Sequence, residues 1–477
     1  MTIDPERQED RFAAAILTAT PSHVPGLTAV AARHFADLVG VSLAALDEPA
    51  VRALGGLRAD ADGAVPAARV WGTRRRLRPR DAGLVNAFAG HWHDFDDDET
   101  ELAMAHVTVT AMTAAAVLGD ADPHHSGQAV LDAYLVGTET AMRLGRLLNP
   151  NHYLRGWHAT ATLGIFAAAA AAGRTARLDP RRMRAALGIA ASAAAGLRST
   201  FGSAAKPLQV ARAVEAGLFA VECAAAGLDA GTGNLFGPQG FVALAGGRLD
   251  DVARTVADFG RPWGFIAGGM TLKAHPCCTA SHSAIACVLD LMRTHDVDPA
   301  TIDRITCRVD PAVPSILTHE RPTTPAEAKF SLPFALAIAA VRRRVGIAEF
   351  TDEALADPVV VALIDRVETV LDPDLPKGPS GISVAARVRL ELTDGRSVVA
   401  SRDHVPGSRG APLDDAALAD KFADCAAALH GEAQARTLFA RLIGCPDEPS
   451  FSTLISALVP ARGGETPHTS LTHEVST

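Results

Sequence analysis

The run Ala159–Gly173, ATATLGIFAAAAAAG, narrows the possible folds more than any other stretch of the chain. It is free of proline and almost free of bulky side chains, so it reads as a helix whose neighbours can approach closely. Mostly alanine, it falls short of the ~20 strongly apolar residues a membrane span requires. Apolar residues make up 48% of the 477 and aromatics only 5%, which fits a large core of close-packed helices spread over two or three domains. The net charge of −9 argues against a nucleic-acid or membrane-surface partner. Seven cysteines without regular spacing indicate a reducing compartment. The opening MTIDPERQEDRF carries no apolar signal segment, so a soluble, cytoplasmic protein is expected.

Periodicity predicts two helices over residues 5–55, then loop or short helix to residue 80. Helices follow over residues 82–90, 107–119, 127–148, 159–173, 181–197 and 208–226, with no convincing strand among them. The character changes after Gly264, and Gly268-Gly269 marks a boundary. Beyond it, 302–309 reads as a strand, 328–341 and 352–367 as helices, and 382–392 with 397–401 as a hairpin around Asp394-Gly395. Helices return at 414–429 and 432–442. The expected plan is mostly α with α+β: a large helical domain (1–267), a smaller α+β lid (268–411), C-terminal helices rejoining the first domain (412–460) and a flexible tail (461–477).

Between two apolar helices lies Asn86–His106, NAFAGHWHDFDDDETELAMAH, with His91, His93, Asp94, Asp96, Asp97, Asp98, Glu99 and His106. The plain reading is a solvated acidic loop. The sharper one is a site, because ionisable groups beside buried sequence cost folding energy unless partnered or used. Lysine is scarce: only Lys206, Lys273, Lys329, Lys377 and Lys421 occur, so each is conspicuous. Cys277-Cys278 tempts a metal or nucleophile reading, but adjacent thiols do not readily share one tetrahedral zinc, and packing is favoured. The run Asp97–Glu101 also fits an Asp-Asp-x-x-Glu magnesium motif of terpene cyclases, which this aromatic-poor chain does not support.

These residues carry a resemblance to the MmgE/PrpD family of 2-methylcitrate dehydratases, cis-aconitate decarboxylases and an iminodisuccinate epimerase. Asn86, His91, Asp94, Phe95, Asp96 and Asp97 fall in register with its Asn-Gly-x-x-x-His-x-x-Asp-Phe-Asp-Asp-Thr segment. Gly156-Trp157-His158, Lys206-Pro207-Leu208, Gly237–Phe241, Lys273 with Pro276, Cys277 and His282, and Phe330–Pro333 follow in the family's order. The chain departs from the pattern at Asp98 (threonine in the family), Ala87 (glycine), Val107 (proline) and Gln209 (histidine). It departs again at Cys278, where some decarboxylases have histidine.

The resemblance implies a cleft between a helical domain and a lid, a homodimer, and lyase chemistry on a small carboxylate without metal or organic cofactor. Proton removal next to a carboxylate needs a base and cationic donors. His158 is assigned to proton transfer, Lys206 to carboxylate binding or the base, Asp94 to orienting and His106 to donating a proton. His282 is expected to reach the cleft from the lid. His91, Lys273, Asp98 and Cys278 are assigned to substrate binding. Asp96 and Asp97 are alternatively read as caps of the next helix.

Overall fold

The computed structural model describes residues 4–460 except 62, 64 and 65; the tail expected over 461–477 lies outside the described residues. Several helices begin where the sequence supplies a cap. Asp4, Ser126, Asp179 and Asp414 each accept a backbone N–H from the first turn of the helix that follows them. Helices Val107–Ala121, Gly127–Leu148 and Ala205–Ala225 pack around the alanine-rich one, Ala159–Thr175, which is buried along nearly its whole length. Close approach is built in: a Cβ at Gly137 would stand 2.6 Å from the Ala167 carbonyl, and one at Gly164 2.5 Å from Thr110.

Two apolar cores result. One joins Phe12 through Leu272 with the C-terminal segment Leu418–Leu458. The other runs from Cys277 to Leu392 around a four-stranded sheet. The order in that sheet is Val367–Leu371, Ile302–Val309, Ala386–Leu392 and Ser397–Arg402; the first pair is parallel and the others antiparallel. The fold is thus mostly α with an α+β second body. Helix Leu27–Ala44 has the length and hydropathy to cross a bilayer. Yet it packs against helices Pro79–Trp92 and Asp415–His430 and carries buried His34 and Asp37.

Several expectations are corrected. Residues 5–55 give three helices, Pro5–Thr18, Leu27–Ala44 and the start of Pro49–Gly56. The first body does contain strands: Ala68–Arg69 pairs with Arg76–Leu77, and Asp98–Glu99 with Met270–Thr271. That second ladder, with Met270 and Leu272 in the first core, moves the boundary from Gly268-Gly269 to about Lys273. The helix expected over 181–197 ends at Ala191. The one over 328–341 splits into Pro325–Ala328 and Leu332–Arg342, because Ser331 caps a new start and Pro333 cannot donate. Pro358 breaks the next one likewise, and Val367, expected at its C-terminal end, instead begins the parallel strand Val367–Leu371. The hairpin strand starts at Ala386, since Ser383 N–H is already bonded to Asp310 Oδ2.

Candidate active site

Three long helices start at one place. His106 is the N-cap of Val107–Ala121 and His158 of Ala159–Thr175, while Lys206 lies in the first turn of Ala205–Ala225. None of the three has a side-chain cap, so their positive ends are left for another anion. The Thr160 hydroxyl accepts the His106 backbone N–H at 3.1 Å and ties two of the starts together. Opposite them, helix Pro79–Trp92 ends with His91 in its last turn. The chain then reverses through Asp94, held at φ 53°, a left-handed conformation uncommon for a residue with a side chain. Lys273 stabilises that reversal by donating to the Asp94 carbonyl at 2.7 Å and to its Oδ2 at 2.9 Å.

Asp94 Oδ1 accepts from Lys206 Nζ at 2.6 Å. Burial alone would raise the Asp94 carboxyl, but the two lysines hold it well below the usual carboxylate range. Lys206 Nζ also lies 2.5 Å from His91 Nε2, and His91 Nδ1 lies 3.0 Å from Asp96. Burial, with Lys206 and His106 nearby, pulls His91 down to about 4 despite Asp96. The neutral ring therefore donates through Nδ1 to Asp96 and accepts from the lysine through Nε2.

His106 is the contrary case. Its Nδ1 stands 3.2 Å from Asp96 Oδ2 and its Nε2 3.6 Å from Asp94 Oδ1. Burial opposes its charge, but Asp96 and Asp98 outweigh that and raise it above the ordinary histidine value. His158 is pushed well below that value by burial and by Lys206. Both of its ring nitrogens are buried without a partner among the described residues. Its ring packs 6.2 Å from His91 and edge-on to Phe201 at 5.1 Å. One histidine is thus biased toward its charged form and another toward its neutral form, both packed on His91, an arrangement suited to separating an acid from a base.

His91, Asp96 and His106 offer three donors within 4.8 Å of one another, a possible metal triad. Both imidazole Nδ1 atoms already face Asp96, and the Lys206 ammonium sits against His91. A cation there would meet these positive charges, so the trio reads as a proton relay.

Of the residues singled out in the sequence, Asp94, His91, His106, His158, Lys206 and Lys273 come together. Asp98 and Cys278 stand at the margin, where their charges or dipoles bear on Lys273. Burial pushes the Cys278 thiol up to about 11, so it is neutral. His282 stands apart from the hydrogen-bonded cluster: its Nε2 lies 3.0 Å from the Cys277 carbonyl and its ring packs on His275 at 5.2 Å, while its Nδ1 is buried without a partner among the described residues. Among the described residues it has no hydrogen bond to the cluster. It heads helix His282–His295, and its side chain leans back over the preceding turn. Neither Asp96 nor Asp97 caps a helix: Asp96 serves two histidines, and Asp97 binds His34 and Thr108.

Sequence reasoning passed over Lys329, Lys421, Tyr153 and Arg198. Lys329, from the second body, donates to the His93 carbonyl at 3.0 Å, next to Asp94. Lys421 donates to the Phe95 and Lys273 carbonyls, each at 2.9 Å, and so clamps both arms that carry the cluster. Their signal was the scarcity of lysine itself: four of the five surround this loop. Arg198 stacks on Tyr153 at 4.2 Å and donates to the Tyr153 and Ser315 carbonyls, bridging the two bodies beside the site. Phe330 closes over Lys206 from the second body, 5.0 Å from Phe201. The cluster is buried, and an open cavity of about 510 Å³ lies elsewhere, between helix Pro5–Thr18 and Trp263.

The description "MmgE/PrpD N-terminal domain" matches residues 10–250 and "MmgE/PrpD C-terminal domain" residues 275–443. Cis-aconitate decarboxylase of Aspergillus terreus is 26% identical over 413 residues, 82% of this chain and 84% of the relative. The human cis-aconitate decarboxylase is 27% identical over 369 residues, 74% of each chain. A cis-aconitate decarboxylase-like protein of Aspergillus oryzae is 29% identical over 351 residues, 69% of this chain and 72% of the relative.

Proposed function

The chain belongs to the MmgE/PrpD family, and from that premise we propose that it is a lyase acting on a small carboxylate by proton transfer next to the carboxylate group. The relatives named cis-aconitate decarboxylase support lyase chemistry of the decarboxylase type. One observation carries the finer reading: a neutral, unpartnered His158 and a charge-stabilised His106 flank Lys206 where three uncapped helices begin.

In this proposal the helix ends and Lys206 hold the substrate carboxylate. For loss of water, His158 takes the proton from the adjacent carbon, and the developing charge spreads into the carboxylate held by Lys206. His106 protonates the departing hydroxyl. For loss of carbon dioxide, the pair of electrons left on carbon takes its proton from His106. Asp94 and Asp96 keep lysine and histidine aligned. The second body acts as a lid, since Phe330 must move for substrate to enter. The chain is further proposed to be a homodimer, which sedimentation at micromolar concentration checks.

The test is a panel of di- and tricarboxylates, with and without amino substituents, incubated with purified protein and followed by mass spectrometry. Loss of water or carbon dioxide from a member of the panel is expected. Deuterium entering an acid from solvent with its skeleton intact would favour an isomerase on the same scaffold. Silence across the panel, with Lys206→Ala making no difference to binding of any acid, would overturn the reading.

A further inference from the structure

Four of the five carboxylates between Asp94 and Glu99 are spent. Asp94 is held by Lys206 and Lys273, Asp96 faces His91 and His106, and Asp97 binds His34 and Thr108. Glu99 accepts the backbone N–H groups of Glu101, Leu102, Ala103 and Gly269. All four are buried, the most exposed at 3%. Asp98 differs: it is half-buried, and among the described residues its side chain has no hydrogen bond and no ion pair. Strand alternation explains the contrast. Glu99, on the short ladder with Met270–Thr271, turns into the protein, which sends its neighbour Asp98 to the other face. On that side its charge reaches His106, Lys273, Cys278 and the Tyr153 hydroxyl.

The site is therefore polarised. Lys206 and Lys273 outnumber the carboxylate they share, and three helix N-termini add to that positive end. Asp96 is balanced by His106. Asp98 forms a negative end with no hydrogen bond or ion pair of its own among the described residues; it shares Lys273 and His106 only at longer range with Asp94 and Asp96, and its charge also reaches the neutral Cys278 thiol and the Tyr153 phenol. A molecule carrying only carboxylates would satisfy the first end and be repelled by the second. Resting on the carboxylate-binding reading above, we infer that the substrate bears a cationic nitrogen beside its carboxylates, which Asp98 receives: an amino di- or tricarboxylate.

Calorimetric titration with matched probes tests this on the full chain. Succinate is compared with aspartate, and propane-1,1,3-tricarboxylate with γ-carboxyglutamate, each pair differing in an ammonium group. The wild-type protein is expected to bind the ammonium-bearing partner about tenfold or more tightly. Asp98→Thr, the family's residue, and Asp98→Asn should both erase that preference, and Asp98→Thr should strengthen propane-1,1,3-tricarboxylate. Lys206→Met should weaken all four probes. Carboxylates that bind through Lys206, with no preference for the ammonium and no response to either Asp98 variant, overturn this inference and leave the lyase reading standing. Failure of every probe to bind, in wild type and variants alike, overturns both.

Discussion

Two buried polar networks leave the same short loop in opposite directions. On one side Asp94 and Asp96 gather His91, His106, Lys206 and Lys273. On the other, Asp97 binds His34 and the Thr108 hydroxyl, Thr108 meets the Tyr134 hydroxyl at 2.6 Å, and Lys421 pairs with Asp37 at 2.6 Å. Burial and charge are alike in both. The second ends against packed rings, with Phe265 edge-on to His34 and Tyr134. The first ends against His158, whose nitrogens have no partner, and against uncapped helix starts. Each network keeps a buried atom without a partner among the described residues, Asp97 Oδ1 in the second and the His158 nitrogens in the first; what separates a site from a brace is that the unspent groups of the first stand at uncapped helix starts, not the density of charge.

The largest expected effect tests that division directly. Lys206→Met should lower kcat/KM on the identified substrate by about 1,000-fold, since it removes a donor to developing charge. Asp97→Asn should cost about 2–3 kcal/mol of stability, read by urea unfolding, and leave kcat/KM per folded molecule within about threefold. Equal losses of activity in the two variants would erase the distinction between the networks.

The next effect concerns pH. His158 must be neutral to accept a proton, and His106 must be charged to give one. The kcat/KM profile should therefore fall on the acid side through the depressed value of His158 and on the alkaline side through the raised value of His106. His158→Gln should remove the acid limb and His106→Gln the alkaline one, each with about a 100-fold loss at the optimum. Stability follows the same signs. The raised His106 contributes stability that is complete below the ordinary histidine value of 6.5 and is lost as pH rises through its folded value. The depressed Asp96 contributes stability that is present above 3.8 and is lost as pH falls through its own folded value. A wild-type unfolding curve indifferent to pH on the alkaline side would contradict the His106–Asp96 pairing.

The two networks were unequally legible in the sequence. Helix starts and the hairpin could be read because their causes are local: an Asp or Ser cap, or an Asp-Gly turn. His158 stood out because it directly precedes a small-residue helix, and His106 because it follows the acidic segment in the family pattern. Lys206 and Lys273 stood out through scarcity and family pattern. By contrast, nothing local shows that Asp96 serves two histidines while Asp97, its neighbour, serves His34 from a helix far upstream. That choice is made by which way the chain turns after Asp94, and the left-handed turn is fixed by Lys273 from beyond the first body. The position of His282 outside the hydrogen-bonded cluster was not legible either: its Nε2 meets the Cys277 carbonyl just upstream, and its Nδ1 is left without a partner among the described residues.

The smallest expected effect falls where the two bodies meet. Lys329 reaches from the second body to the His93 carbonyl, one residue before Asp94, and burial lowers its ammonium to about 8. Its duty is to hold the reversed loop in place, so Lys329→Met should lower kcat by about fivefold and leave the limbs set by His158 and His106 where they were. Its effect on stability has the opposite sign to that of His106. A buried base with a depressed value costs folding free energy while it stays charged, and the cost fades as pH rises from about 8 toward the ordinary 10.5. The wild type should therefore gain stability relative to Lys329→Met across that window. A constant difference between the two unfolding curves from pH 7 to 10 would show that the lysine is solvated, and that the bodies are not pinned together at the edge of the site.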